Sequence, residues 1–239
     1  IDGIIIHTNT MVERIETLKT KVKVHAKHSN KKIIIEGSVV LLAVGITGNT
    51  EDIGFENIGI KTQEGAVLID DYGQTTVPNI FAIGDVTGPP WLAHVASAQG
   101  HVAAEKIAGY STFPVDYSNI PACTYCQPQV ASLGLTQAQA RAAGHDIKVG
   151  KFNFRSSGKA MAIGSTNGFV KIIFDAKYGE LLGCHIIGTE ATELIAELGI
   201  AKALEATWQD LARTVHAHPT LSEAIMEAAL DAFGEAIHQ

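Results

Sequence analysis

A histidine and a glutamate five residues apart, His218 and Glu223, lie close to the C-terminus with Pro219 between them. A chain that folds back here can bring the carboxylate onto one imidazole nitrogen, which leaves the other nitrogen free to take a proton. A carboxylate that fixes the tautomer and stabilises the protonated ring suits a histidine to general base catalysis near neutral pH. The spacing therefore predicts a catalytic pair at His218 and Glu223.

The same stretch also fits a structural role. Thr220 and Glu223 have the spacing of a capping box, in which a threonine caps a helix and the glutamate bonds back to the cap. His216 and His218 could ligate a metal, but no third ligand of a suitable type lies nearby, so we predict no metal site. Spacing alone leaves the catalytic and capping roles of Glu223 open.

A second candidate site follows a predicted strand at Thr76–Asp85, which ends in Gly84 and Asp85. Open α/β sheets bind ligands at the carboxyl ends of their strands, and Asp85 can accept hydrogen bonds from ligand hydroxyls. A helix predicted over residues 92–107 would offer free N–H groups and partial positive charge to an anionic group. The alternative for Asp85 is a simple turn.

A third candidate is Gly45, which follows the continuous apolar run Val39–Val44. Such a run predicts a strand buried on both faces, and a glycine at its end would let a ligand approach the backbone closely.

The cysteines offer less. Cys123 and Cys126 have the spacing of a redox pair, but Pro121 and Pro128 flank them where such a pair would need a helix start. We interpret them as incidental residues of a loop leading into a strand.

Composition limits the possible functions. The 239 residues are 46% hydrophobic and 18% charged, with a net charge of −7 and a pI near 5.8, which disfavours binding to nucleic acid. No apolar run approaches the length of a membrane span, and no signal peptide is recognisable at the start. We expect a cytoplasmic protein, or one of an organelle matrix.

The elements that must position these residues change character along the chain. Residues 1–48 are β-rich and include a predicted hairpin over residues 22–36. Residues 49–117 combine short strands with one helix. Residues 118–239 contain strands, among them a predicted hairpin over residues 168–188, followed by amphipathic helices. The pattern predicts α/β organisation followed by an α+β layer domain.

Taken together, these stretches resemble the C-terminal half of a pyridine nucleotide–disulfide oxidoreductase, in particular the branch that oxidises dihydrolipoamide. Thr76–Asp85 resembles the family's second flavin-binding motif, and its continuation from Trp91 to His94 resembles the segment beside the flavin pyrimidine. The stretch from His216 to Glu223 resembles the His-x-His-Pro-Thr-x-x-Glu signature of the active site. The resemblance covers essentially the whole chain.

For the flavin, the resemblance implies an FAD site built by five residues. Asp85 would bond a ribitol hydroxyl, and Gly84 would allow that approach. The helix start at Leu92, Ala93 and His94 would face the flavin C2 carbonyl and N1.

For the remaining sites, it implies that Gly45 lies at the edge of the NAD site. His218, polarised by Glu223, would deprotonate a dihydrolipoyl thiol, and electrons would pass through a redox-active disulfide and FAD to NAD⁺. The domains would be the end of the NAD-binding domain (1–48), a central FAD-contacting domain (49–117) and an interface domain (118–239) that forms a homodimer. The partner would be the lipoyl domain of a 2-oxoacid dehydrogenase complex.

Three motifs of the family are absent: both glycine-rich dinucleotide turns and the Cys-x-x-x-x-Cys pair. Their place would be N-terminal to Ile1, and the chain does not begin with methionine. We therefore expect a C-terminal fragment that is inactive alone. The alternatives are another flavin disulfide reductase, of glutathione or mercuric type, and a non-catalytic dimerisation module.

Overall fold

A computed structural model describes residues 3–238, and the chain divides into two compact units, Ile1–Asn49 and Thr50–Gln239. The first unit contains three antiparallel strands in the order β1-β2-β3, namely β1 (Thr10–Thr17), β2 (Val22–His28) and β3 (Lys31–Gly37). The predicted hairpin over residues 22–36 is confirmed, with Val22 opposite Gly37.

The predicted buried strand at Val39–Val44 is wrong. These residues form no strand, and Val39, Leu41 and Val44 are each more than 80% exposed. A strand buried on both faces needs neighbouring strands and covering helices. The described residues of this unit supply only the three-stranded antiparallel sheet, so the apolar run has nothing to pair with.

The first part of the second unit is dominated by one helix. Short elements precede it: α1 (Phe55–Ile58), β4 (Thr62–Gln63), β5 (Ala66–Val67) and a 3₁₀ turn (Gly84–Thr87). The predicted helix over residues 92–107 is confirmed as α2 (Ala93–Ile107), with Leu92 as its N-cap.

The predicted strand at Thr76–Asp85 is also wrong. The chain turns back instead, because the N–H of Thr75 donates to the Ile80 carbonyl at 2.8 Å and Asn79 adopts a left-handed φ of 68°. Pro78 has no N–H to contribute to a sheet. Only the isolated bridge between Gln74 and Phe81 remains of strand pairing here.

A five-stranded antiparallel sheet organises residues 122–231. Its order is β6-β7-β10-β9-β8, and the helices follow or interrupt the strands. The elements are β6 (Ala122–Thr124), β7 (Gln129–Gly134), α3 (Gln137–Ala142), β8 (Ile147–Asn153), α4 (Gly158–Ala162), β9 (Phe169–Asp175), β10 (Leu181–Gly188), α5 (Ala191–Ala203), α6 (Trp208–Arg213) and α7 (Glu223–Asp231).

The core lies between this sheet and the helices α5 and α7. Alternate residues of β9 face opposite sides: Ile172 and Phe174 pack in the main core, whereas Ile173 packs beneath α3. Cys184 of β10 is fully buried in the main core. Gly150 of β8 lies so close to α7 that a β-carbon there would collide with the Ala228 carbonyl. This packing fixes α7, whose first residue is Glu223.

Candidate active site

The loop between α6 and α7 carries His218, and the start of α7 carries Glu223. His218 Nδ1 lies 2.8 Å from Glu223 Oε1. Because an ionised carboxylate only accepts hydrogen bonds, Nδ1 must carry a proton, and in the neutral ring Nε2 is the unprotonated nitrogen. The His218 side chain is 78% exposed, and no partner for its Nε2 is found among residues 3–238. The ring is held in the tautomer that accepts a proton from outside.

Glu223 also organises the loop itself. Its Oε2 accepts the backbone N–H of Thr220 at 2.8 Å. That bond, above all, and the hydrogen bond from His218 lower the pKa of the Glu223 carboxyl. The carboxylate is therefore ionised when it holds His218.

The capping box expected here is only half formed. Glu223 is the first helical residue and Ser222 the N-cap, so Glu223 does not occupy the third position. The Thr220 hydroxyl donates to the Ala217 carbonyl rather than capping the helix. One glutamate serves both the loop backbone, at Thr220, and the histidine.

His216 is bound quite differently from His218. Its Nε2 lies 2.8 Å from Glu197 Oε1, and its Nδ1 lies 3.0 Å from the Thr214 carbonyl oxygen. Both partners are acceptors, so the geometry favours the imidazolium form, in which both nitrogens carry protons. The hydrogen bond to Glu197 is the main cause that raises the pKa of His216. His216 therefore fastens the loop to α5 and has no nitrogen left for a substrate.

A cavity of about 150 Å³ opens beside His218, and we call it the His218 cavity. Residues of β8, α4, α7 and the C-terminal segment line it: Phe152, Ser156, Ser157, Gly158, His218, Glu223, Met226, Glu227 and His238. It combines imidazole and carboxylate groups with the apolar side chains of Phe152 and Met226, as a site for a small, partly apolar molecule does.

The second candidate site lies at the start of α2. Gly84 has a left-handed φ of 76°, and a β-carbon there would come within 3.3 Å of Ala96 on α2. Its N–H donates to Gln99 Oε1 at 2.6 Å. Asp85 is exposed next to it, and the first N–H groups of α2 have no acceptors within the helix. A hydroxyl-rich group with an anionic edge fits these donors and acceptors.

The two remaining predicted cofactor contacts are His94 and Gly45. The His94 side chain is occupied, since its Nε2 lies 2.9 Å from the Pro121 carbonyl oxygen, which leaves its backbone to face a ligand. Gly45 lies in the first unit at a φ of 113°, and a β-carbon added to it would meet no described atom within 4 Å.

Cys123 is poorly suited to a reactive role. Cys123 lies in β6, and partial burial raises the pKa of its thiol, which disfavours a reactive thiolate. Among residues 3–238, no three His, Cys, Asp or Glu side chains cluster as metal ligands. No helix in that range has the length and apolarity to cross a membrane.

Two family models match the chain in succession. Residues 2–100 match the pyridine nucleotide-disulphide oxidoreductase model, and residues 120–229 match the dimerisation domain of the same oxidoreductases. The chain belongs to the pyridine nucleotide-disulphide oxidoreductase family. The resemblance found in the sequence is thereby confirmed, and so is the mixed α/β and α+β fold class.

Two similar curated relatives are both dihydrolipoyl dehydrogenases. The dihydrolipoyl dehydrogenase of Rhizobium etli is 47% identical over 238 residues, which are 99% of this chain and 50% of that protein. The dihydrolipoyl dehydrogenase of Mycobacterium leprae is 48% identical over 227 residues, 94% of this chain and 49% of that protein. The chain thus spans about half the length of the curated relatives it matches.

Two solved structures have the same fold as this chain. LpdA from Mycobacterium tuberculosis superposes with a TM-score of 0.84 at 28% identity, covering 92% of this chain and 48% of that one. The Cu(II) complex of the HOCl-induced flavoprotein disulfide reductase RclA from Escherichia coli gives 0.84 at 27% identity, covering 92% and 49%.

Three residues that shape the candidate sites were missed in the sequence. Gln99 links Gly84 to the hydroxyl of Tyr117, Glu197 binds His216, and Glu227 binds His238. Gln99 and Glu227 are buried polar residues on helices that otherwise present apolar residues to the core. A polar residue at a core position of a helical pattern is the signal that could have identified them.

Proposed function

We propose that this chain is the C-terminal half of a dihydrolipoyl dehydrogenase, the parent enzyme, which oxidises protein-bound dihydrolipoamide with NAD⁺. The observation that carries the proposal is the His218–Glu223 pair, with its 2.8 Å hydrogen bond and exposed, unprotonated Nε2. Oxidation of a dithiol requires that a thiol lose its proton before sulfur attacks a disulfide. His218 takes that proton, and Glu223 orients the ring and stabilises the imidazolium that results.

FAD and NAD are the cofactors of this proposal, and both dinucleotide turns would come from the other half of the parent enzyme. Bound FAD would carry electrons from the active-site disulfide to NAD⁺. On this chain, Asp85 accepts a hydrogen bond from a ribitol hydroxyl, and Gly84 makes room for that group. The N–H of Leu92 donates to the Pro90 carbonyl at 3.0 Å, so Leu92 places the start of the helix while Ala93 and His94 present their backbone N–H groups to the flavin. Gly45 borders the NAD site.

The proposal also includes the domains and partners. Residues 1–48 end the NAD-binding domain, 49–117 form the central domain, and 118–239 dimerise with a second copy. The match to a dimerisation domain over residues 120–229 supports the homodimer. The lipoyl domain of a 2-oxoacid dehydrogenase complex delivers the substrate, in the cytoplasm or an organelle matrix.

The test is the His218→Gln variant of the parent enzyme. We expect kcat/KM for dihydrolipoamide to fall about 10²- to 10⁴-fold, the usual contribution of a general base, with flavin content unchanged. His145→Gln is the matched control, because His145 lies on the same domain but outside the His218 cavity. A His218→Gln enzyme with wild-type kcat/KM would refute the role of His218. The 239-residue chain alone should not oxidise dihydrolipoamide.

A second candidate is a flavin disulfide reductase with another substrate. The TM-score of 0.84 with the flavoprotein disulfide reductase RclA from Escherichia coli supports this second candidate. Assay of the parent enzyme against dihydrolipoamide, glutathione disulfide and Hg²⁺ separates the two. A preference for either of the last two substrates would favour the second candidate.

A further inference from the structure

A second histidine–carboxylate pair borders the His218 cavity. Glu227 lies one helical turn after Glu223 on α7, and it is only 2% exposed. Its Oε1 lies 2.6 Å from His238 Nδ1. Its Oε2 accepts the backbone N–H groups of Ile237 and His238, both at 3.2 Å. A buried carboxylate with three donors from one segment anchors that segment beside the cavity.

The hydrogen bond to Glu227 determines which nitrogen of His238 is available to a ligand. As at His218, the carboxylate requires a proton on Nδ1, so in the neutral ring Nε2 carries a lone pair and acts as an acceptor. The His238 side chain is 69% exposed, and no partner for its Nε2 is found within the described range 3–238. The His218 cavity therefore has two imidazoles of the same tautomer on its walls.

Two apolar side chains line the same cavity. Phe152 is 5% exposed and Met226 is half-buried, and both line the cavity with the two histidines. An alkyl chain suits such a surface, and a hydrogen-bond donor at the end of that chain suits the lone pair of His238.

Building on the proposed oxidation of dihydrolipoamide, we propose that His238 determines specificity for the amide end of the substrate. Its Nε2 accepts a hydrogen bond from the substrate amide N–H, while the alkyl chain lies against Phe152 and Met226 and a thiol lies at His218. A free carboxylate in place of the amide has no N–H to donate, and it meets a lone pair next to the negative Glu227. The site thus prefers amide-linked substrates over the free acid.

The experiment compares dihydrolipoamide with dihydrolipoate as substrates of the parent enzyme. In the His238→Ala variant we expect KM for dihydrolipoamide to rise about tenfold, the effect of one lost hydrogen bond. KM for dihydrolipoate and kcat for both substrates should stay within about twofold. His238→Gln, whose amide oxygen can accept the same hydrogen bond, should recover part of the preference, and His145→Ala should leave it intact.

Glu227→Gln tests the anchor. Like His238→Ala, this substitution should reduce the preference for dihydrolipoamide over dihydrolipoate. In combination with His238→Ala it should cause no further reduction, because both substitutions act through one contact. If Glu227→Gln does not fold, the comparison of His238→Ala with His238→Gln decides alone. Equal changes for both substrates, or none, would overturn the proposal while the proposed function stands. A wild-type enzyme that oxidises neither substrate would overturn both.

Discussion

His216 and His218 lie two residues apart and have opposite capacities. His218 donates one hydrogen bond and keeps a free lone pair, whereas His216 donates two and keeps none. The spacing in the sequence predicted the His218–Glu223 contact because a five-residue separation is closed by a single turn of chain. The His216–Glu197 contact spans 19 residues and depends on how α5 packs, so the local sequence could not predict it.

The His216 imidazolium should make stability depend on pH. Glu197 raises the pKa of His216 in the folded state, so its contribution is complete below the unfolded pKa of about 6.5 and is lost as pH rises through the folded pKa. Because Glu197 is about one third exposed, we expect Glu197→Gln to cost roughly 1 kcal/mol near pH 6 and less above neutrality. Urea unfolding of the chain between pH 6 and 9 measures this difference.

Glu193→Gln is the control for that series, since Glu193 lies one turn earlier on α5 and is exposed. A cost of Glu197→Gln that stays constant across this pH range would contradict the assignment of His216 as an imidazolium.

At the scale of elements, the sequence predicted what depends on local pairing. The hairpins over 22–36 and 168–188 and the helix α2 are confirmed because their partners are close in sequence. The strands expected at Val39–Val44 and Thr76–Asp85 are wrong because apolar content does not supply a neighbouring strand. The domain boundaries and the residues of the flavin and NAD sites stay predictions.

Gly150→Ala tests the contact between β8 and α7. A β-carbon would collide with the Ala228 carbonyl and lie 2.6 Å from the Ala232 nitrogen. We therefore expect the free energy of unfolding to fall by about 2 kcal/mol or more. Urea unfolding followed by tryptophan fluorescence measures it, because Trp91 and Trp208 both lie in the second unit.

Gly199→Ala is the matched substitution for Gly150→Ala. Gly199 lies within α5, and a β-carbon added to it would meet nothing within 4 Å. Alanine there should therefore raise the free energy of unfolding by up to about 1 kcal/mol. Equal effects of the two substitutions would show that α7 does not pack on β8 as closely as described.

At the scale of the whole molecule, apolar side chains remain exposed close to the loop that carries His216 and His218. Val215 is 95% exposed, and Ile200 and Leu204 at the end of α5 are 66% and 74% exposed. Ile200 and Val215 line one groove next to His216. Apolar surface of this kind is typical of an interface, which fits dimerisation through residues 118–239.

Val215→Glu should weaken the proposed dimer at least about tenfold, because a carboxylate would be buried without a partner. Sedimentation velocity over a range of concentrations measures the dissociation constant. Phe113→Glu is the control, since Phe113 is 85% exposed but precedes the interface domain. If Phe113→Glu dissociates the dimer and Val215→Glu does not, the interface lies elsewhere.

The buried thiol of Cys184 gives this chain an internal reporter of its own opening. Burial in the main core strongly raises the pKa of the thiol, so in the folded chain it is neither ionised nor reachable by reagents. Alkylating reagents should therefore modify Cys126 within the native fold and Cys184 only when the sheet separates from α5 and α7. The rate of that slow modification measures the free energy of opening under native conditions, without any denaturant.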